Sequence, residues 1–128
     1  MNADKEAYFN NLTEQVIGAA MEVSNHLGTG FLEKVYENAL AEELRLRHVP
    51  AQTQVPIKVN YKGKTVGDYV ADILVDGRLI VELKCVRSLA PEHIGQCLNY
   101  LKGTGHSLAL LFNFQNPKLE WKRVVFNF

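Results

Sequence analysis

The chain has 128 residues, 47% of them apolar and 22% charged, with 14 basic residues balanced by 14 acidic ones. That size suits a single domain, 1–128, with one core, and is too short for two ordinary domains. No apolar run nears membrane-spanning length and Met1-Asn2-Ala3-Asp4-Lys5 has no signal-peptide pattern, so a cytoplasmic protein with no membrane partner is expected.

Leu12, Val16, Ala19, Val23 and Leu27 trace a helical stripe that stops at Gly28-Thr29-Gly30, a glycine pair suited to a helix end and a sharp reversal. A second helix is expected from about Leu32 to Arg47, with Val35, Ala39, Leu40, Leu44 and Leu46 inward, and Pro50 bars its continuation. Three strands follow, near Gln54 to Tyr61, Thr65 to Val75 and Leu79 to Val86, with Lys62-Gly63-Lys64 turning between the first two. Pro91 opens a helix with Ile94, Cys97, Leu98 and Leu101 as its buried stripe, and Gly103 to Gly105 ends it. Ser107 to Phe114 is a nearly continuous apolar run, which predicts a buried parallel strand after a crossover. Leu119, Trp121, Arg123, Val124 and Phe126 then make an edge strand. The order is that of an α/β domain without repeat or linker.

Charge interrupts two of these strands. Asp72 precedes Glu82-Leu83-Lys84 by ten residues, and all three charged side chains stand in segments that otherwise read as buried. An unpaired ion in such a place costs several kcal/mol, on the order of the stability of a small domain. Glu82 and Lys84 share one strand face, opposite to Val81, Leu83 and Cys85. Asp72 joins that face only if it opposes an even-numbered residue. A two-residue Asp76-Gly77 turn would set Asp72 against Val81, whereas the three-residue loop Asp76-Gly77-Arg78 sets it against Glu82. An odd-length loop or a bulge is therefore expected.

Two opposed carboxylates suit a hard divalent cation such as magnesium, which takes oxygen ligands and keeps several waters. Lys84 beside them can hold water or neutralise a phosphate oxygen. The competing reading is a structural ion-pair network at a sheet edge. If the segment after Gly30 is helical, Glu33, Tyr36, Glu37 and Leu40 share a face, and a carboxylate there could add an oxygen ligand. Glu37, Glu42 and Glu43 read as solvated helix charges. Gln96 and Tyr100 are one helical turn apart, which also fits a core tyrosine with an exposed glutamine.

The acid and Glu-x-Lys arrangement resembles the PD-(D/E)xK phosphodiesterase superfamily, with Ala71 where that name has proline. More narrowly, Gly30-Phe31-Leu32-Glu33-Lys34-Val35-Tyr36 resembles the signature of the GxxExxY proteins, a bacterial and archaeal branch. The likeness continues through Tyr61-Lys62-Gly63-Lys64, Ala71-Asp72, Val81-Glu82-Leu83-Lys84, Gln96 to Tyr100, and Leu111-Phe112-Asn113-Phe114. It implies a restriction-endonuclease-like α/β fold, a mixed central sheet flanked by helices, and a magnesium-dependent nuclease, with manganese as the alternative ion. It also implies that Asp72, Glu82, the Leu83 carbonyl and Glu33 serve the metal. Lys84 would position or activate water, and Gln96 and Tyr100 would orient phosphate or Lys84.

The remaining signals set bounds. Cys85 and Cys97 lie twelve apart without zinc-ligand spacing and read as reduced packing residues, and the four histidines match no metal motif. Overall neutrality lacks the basic footprint of a long-duplex clamp. Residues 1–48 nevertheless carry four bases and eight acids, and residues 49–128 carry ten bases and six acids, so the half with the Glu-x-Lys is the cationic one. The expected partner is nucleic acid, DNA before RNA, with a homodimer as the route to both strands of a duplex. The alternative is a catalytically silent module of the same fold that binds nucleic acid or a protein.

Overall fold

Local signals set most of the element ends. The computed structural model describes residues 3–128 as α1 (Ala3–Leu27), α2 (Glu33–Leu46), β1 (Ala51–Tyr61), β2 (Lys64–Val75), β3 (Leu79–Lys84), α3 (Pro91–Thr104), β4 (Leu108–Asn113) and β5 (Glu120–Val125). Met1 and Asn2, the start of the segment in which no signal pattern was expected, lie outside the described residues. Among the described residues no helix is long and apolar enough to cross a membrane.

The strands form one sheet in the order β1-β2-β3-β4-β5. Neighbours are antiparallel except β3 and β4, which α3 joins as a parallel crossover. All six residues of β4 are buried, as its continuous apolar run requires, and β5 closes the edge. On one side α1 and α2 cover Leu79, Val81, Leu83, Leu108, Leu110 and Phe112. On the other α3 covers Ile80 and Ala109 through Cys97 and Leu101. Gly103 lets β1 approach α3, because a Cβ there would stand 2.9 Å from the Val59 side chain.

Three expectations need correcting. The inward face of α2 is Tyr36, Glu37, Leu40 and Leu44, while Val35 and Leu46 are exposed. Val35 and Leu46 lie more than about 100° around the helix from the centre of that face. An apolar count could not select it because one of its members is a carboxylate. Second, β1 begins at Ala51, three residues before the expected start, since its pairing with β2 runs back to Val75. Third, β3 ends at Lys84 rather than Val86, because the buried Asn113 side chain takes the place of a strand. Its Oδ1 accepts from Val86 N at 3.0 Å and its Nδ2 donates to Val86 O at 2.8 Å.

The β2–β3 loop is the three residues Asp76-Gly77-Arg78, with Val75 paired to Leu79. Beyond Ile73 the simple alternation fails. Ile73 and Val75 pack toward α1 and α2, yet Ala71 and Tyr69, of the same parity, pack toward α3. On β1, Val55, Ile57 and Val59 also pack toward α3, whereas Ala51 packs on the other side. Both strands change faces at the level of Gln54 and Asp72, where Gln54 has φ of 52°. A left-handed residue reverses the pleat without adding a residue, and the register on either side stays intact.

Candidate active site

Asp72 lies where β2 leaves β3. Pairing runs Val75↔Leu79, Leu74↔Ile80, Ile73↔Val81 and stops, so the next opposed residues are Asp72 and Glu82. Side chains replace the missing ladder bonds. Leu83 N donates to Asp72 Oδ2 at 2.9 Å, and Asp72 N donates to Glu82 Oε1 at 3.4 Å. Glu82 Oε1 also accepts from the Tyr69 hydroxyl. The Tyr69 ring stacks on Tyr100 of α3, centroids 3.8 Å apart and planes 20° apart. Tyr100 therefore reaches the carboxylates by way of Tyr69.

Glu33 approaches from the other side. It is the first residue of α2, and the Cys85 backbone just past Lys84 acts to lower its carboxyl. The turn before it is held by Tyr36, whose hydroxyl donates to Gly28 O at 2.6 Å and accepts from Phe31 N at 3.4 Å. The Tyr36 ring stacks on Phe114 with centroids 4.8 Å apart. Gly30, at φ of 103°, supplies a backbone conformation that a side chain would resist. The spacing from Gly30 through Glu33 to Tyr36 thus has a physical basis: a reversal, an acid at the helix start and a clamp on the core.

Glu37, expected to be a solvated charge, is only 4% exposed and belongs to the site. Its Oε1 accepts from Gln54 Nε2 at 2.7 Å and its Oε2 from Lys34 Nζ at 2.6 Å. The Gln54 amide also acts to lower the Asp72 carboxyl, which stands at the same level of the neighbouring strand. Sequence reasoning missed Gln54 and Tyr69 altogether. It grouped Glu37 with Glu33, Tyr36 and Leu40 on a face that could add a metal ligand, but read Glu37 itself as a solvated charge. It also missed Asn113, which besides holding Val86 donates to Glu120 Oε1 at 3.0 Å, an atom that accepts from Leu89 N as well. This network fixes the loop that follows Lys84.

Acid outnumbers base here. Desolvation raises Glu82 to about 7, and Glu33 and Glu37 add to the rise against the Asp72 N–H and Lys84. Asp72 is raised chiefly by burial, with Glu37 adding, while Leu83 N–H, Lys84 and the Gln54 amide act in the opposite sense. Glu33 is raised by desolvation first and then by Asp72. Lys84 is the cation common to all three. Such a cluster is a place where a bound divalent cation relieves repulsion.

Two carboxylates on adjoining strands, with Glu33 close by, form an oxygen donor set suited to a hard cation that keeps its waters. Among the described residues, however, no three His, Cys, Asp or Glu side chains stand together as a finished metal cluster. Gln96 is exposed, and among the described residues its side chain makes no hydrogen bond. Leu83 is buried and its N–H is committed to Asp72. Cys97 is a buried packing residue whose thiol desolvation pushes up to about 12, and Cys85 is half-buried; neither forms a disulfide.

Residues 10–124 match the family model described as the PD-(D/E)XK nuclease superfamily. No curated protein matches the chain in sequence. Among solved structures, that of SSO0001 superposes with a TM-score of 0.56 at 19% identity, over 73% of this chain and 50% of the other. An alkaline exonuclease, LHK-Exo, from Laribacter hongkongensis superposes with a TM-score of 0.54 at 14% identity, over 73% of this chain and 56% of the other. The likeness is one of fold, restriction-endonuclease-like α/β, and the chain spans about half the length of these two structures.

Proposed function

Since this chain belongs to the PD-(D/E)XK nuclease superfamily, we propose that it is a metal-dependent nuclease hydrolysing nucleic-acid phosphodiester bonds, with magnesium, or manganese in its place, as the ion. The observation that carries the reading is the opening of the β2–β3 ladder at Asp72 and Glu82, with Lys84 two residues on. When bound, a divalent cation supplies Lewis-acid stabilisation of the charge that develops on phosphorus.

The chain's own residues do the rest. Asp72 and Glu82 hold the ion, with Glu33 and the Leu83 carbonyl completing its surroundings directly or through water. Lys84 donates to the attacking water or to a phosphate oxygen, which orients the nucleophile and offsets negative charge. Tyr100 buttresses Tyr69 behind Glu82, and Gln96, one turn earlier on α3, faces the substrate phosphate. The Tyr36 clamp supports assignment to the GxxExxY branch. DNA is the proposed polymer, met by a cytoplasmic protein that forms a homodimer when both strands are cut. The neighbouring fold of an alkaline exonuclease supports a nuclease.

A second reading, a silent module that binds nucleic acid or a protein, draws support from the formal neutrality of the chain and from the unfinished ligand cluster. Magnesium titration by calorimetry on wild type and Asp72→Asn, with and without single-stranded oligonucleotide, separates the two. Binding that requires Asp72 and tightens with oligonucleotide is expected for the nuclease. No binding under either condition leaves the silent module.

A further inference from the structure

We propose that Gln54 is a positioning residue of this site: its side-chain amide bridges the Glu37 and Asp72 carboxylates and sets the orientation in which Asp72 meets a divalent cation. The inference rests on the metal-dependent reading above and goes beyond it, to a residue outside the acid and Glu-x-Lys pattern.

Three independent features meet at Gln54. Its backbone is left-handed, with φ of 52°, in the middle of a strand, where a long side chain is uncommon. The ladder pairs Thr53 with Ile73 and Val55 with Ala71 but omits the level between, that of Gln54 and Asp72. Both strands change faces at this level. Finally, the amide meets an acid that is almost wholly buried: Gln54 Nε2 stands 2.7 Å from Glu37 Oε1, and Glu37 is 4% exposed.

An amide NH₂ carries two hydrogens: one meets Glu37, and the other is left for Asp72, which stands at the same level of the sheet. The choice of side chain is chemically specific. A lysine or arginine at this point would pair with Asp72 and compete with the cation. An alkyl side chain would leave two carboxylates facing each other without a donor between them. A neutral double donor holds both and leaves the negative charge for the metal. Because Glu37 is on α2, the same bridge ties the helix that carries Glu33 to the strand that carries Asp72.

Calorimetric magnesium titration of the full chain, beside melting curves, tests this with Gln54→Gly and Gln54→Asn. Glycine adopts the left-handed backbone freely, and asparagine tolerates it but is too short to span the two acids. Both variants should stay folded at a lowered melting temperature, since buried Glu37 loses a donor. Both should bind magnesium about tenfold more weakly or worse. A folded variant of either kind with wild-type affinity overturns the role of Gln54. A merely structural role would move the melting temperature and leave the magnesium affinity in place, and that result overturns it too. Wild type that binds no magnesium sinks the metal-dependent reading itself; wild-type binding with unchanged variants sinks only the bridge.

Discussion

The two ends of α2 handle acid in opposite ways. At its C-terminal end Glu42 meets Arg45 at 2.7 and 2.8 Å, and Glu43 meets Arg47 at 2.7 Å, so each carboxylate has its own guanidinium. The hydrogen bond from Arg45 holds Glu42 below the usual carboxylate range. At the N-terminal end Glu37 pairs with Lys34 at 2.6 Å, but Glu33 stands with Asp72 and Glu82, Lys84 is the cation these three share, and all three are raised. One end is a finished surface charge pattern. The other is deficient in positive charge in a half-buried place, and that deficit distinguishes a site from a solvated face.

The sharpest way to break the contrast is to remove a site carboxylate. Asp72→Asn should reduce nuclease turnover by more than about 100-fold and abolish magnesium binding, while the melting temperature holds or rises. The amide oxygen of the variant can still accept from Leu83 N, and one buried negative charge is gone. Equal loss of melting temperature and activity would instead make Asp72 part of a structural network. Turnover assays paired with thermal unfolding decide it.

Acidity comes next in size. Glu82 is raised from an ordinary 4.5 to about 7, so ionising it is harder in the folded chain than in the unfolded one. Its contribution is fully present below the ordinary value and is lost as pH rises through 7. Without metal, stability should fall between about pH 4.5 and 7, by on the order of 3 kcal/mol if Glu82 acted alone. Glu82→Gln should flatten that fall in a urea series across pH. Wild-type metal binding, which needs the ionised group, should tighten over the same interval.

A smaller effect is expected behind the site. Asn113→Ala leaves Val86 N and O and the Glu120 carboxylate without their buried partner, and should cost about 2–3 kcal/mol in chemical denaturation. Faster hydrogen exchange in residues 85–90 should accompany it, since that loop is pinned there. The smallest belongs to the other end of α2: Glu42→Gln should change neither the melting temperature nor the magnesium affinity measurably. A change in metal affinity from that exposed position would erase the distinction between the two ends.

Much of this was legible from local pattern. The α1 stripe, the glycine reversal, the proline start of α3 and the apolar run of β4 act within a few residues of themselves, and so did the odd loop that places Asp72 opposite Glu82. The site's supports were not legible in the same way. Glu37 and Gln54 are 17 residues apart and become partners only when α2 lies against β1. Tyr69 was hidden because alternation puts it with Ile73 and Val75, and the left-handed Gln54 cancels that inference. Asn113 looked like the end of an apolar strand.

The sequence alone determined the elements, their order and the acids that stand in buried strands, because helix and strand periods and turn chemistry are properties of neighbouring residues. Tertiary structure decided which carboxylate is buried, where the pleat reverses and which neutral side chains hold the charged ones. Burial and hydrogen-bond partnership depend on elements far apart in the chain, and a one-dimensional pattern carries no record of which face of one element meets another.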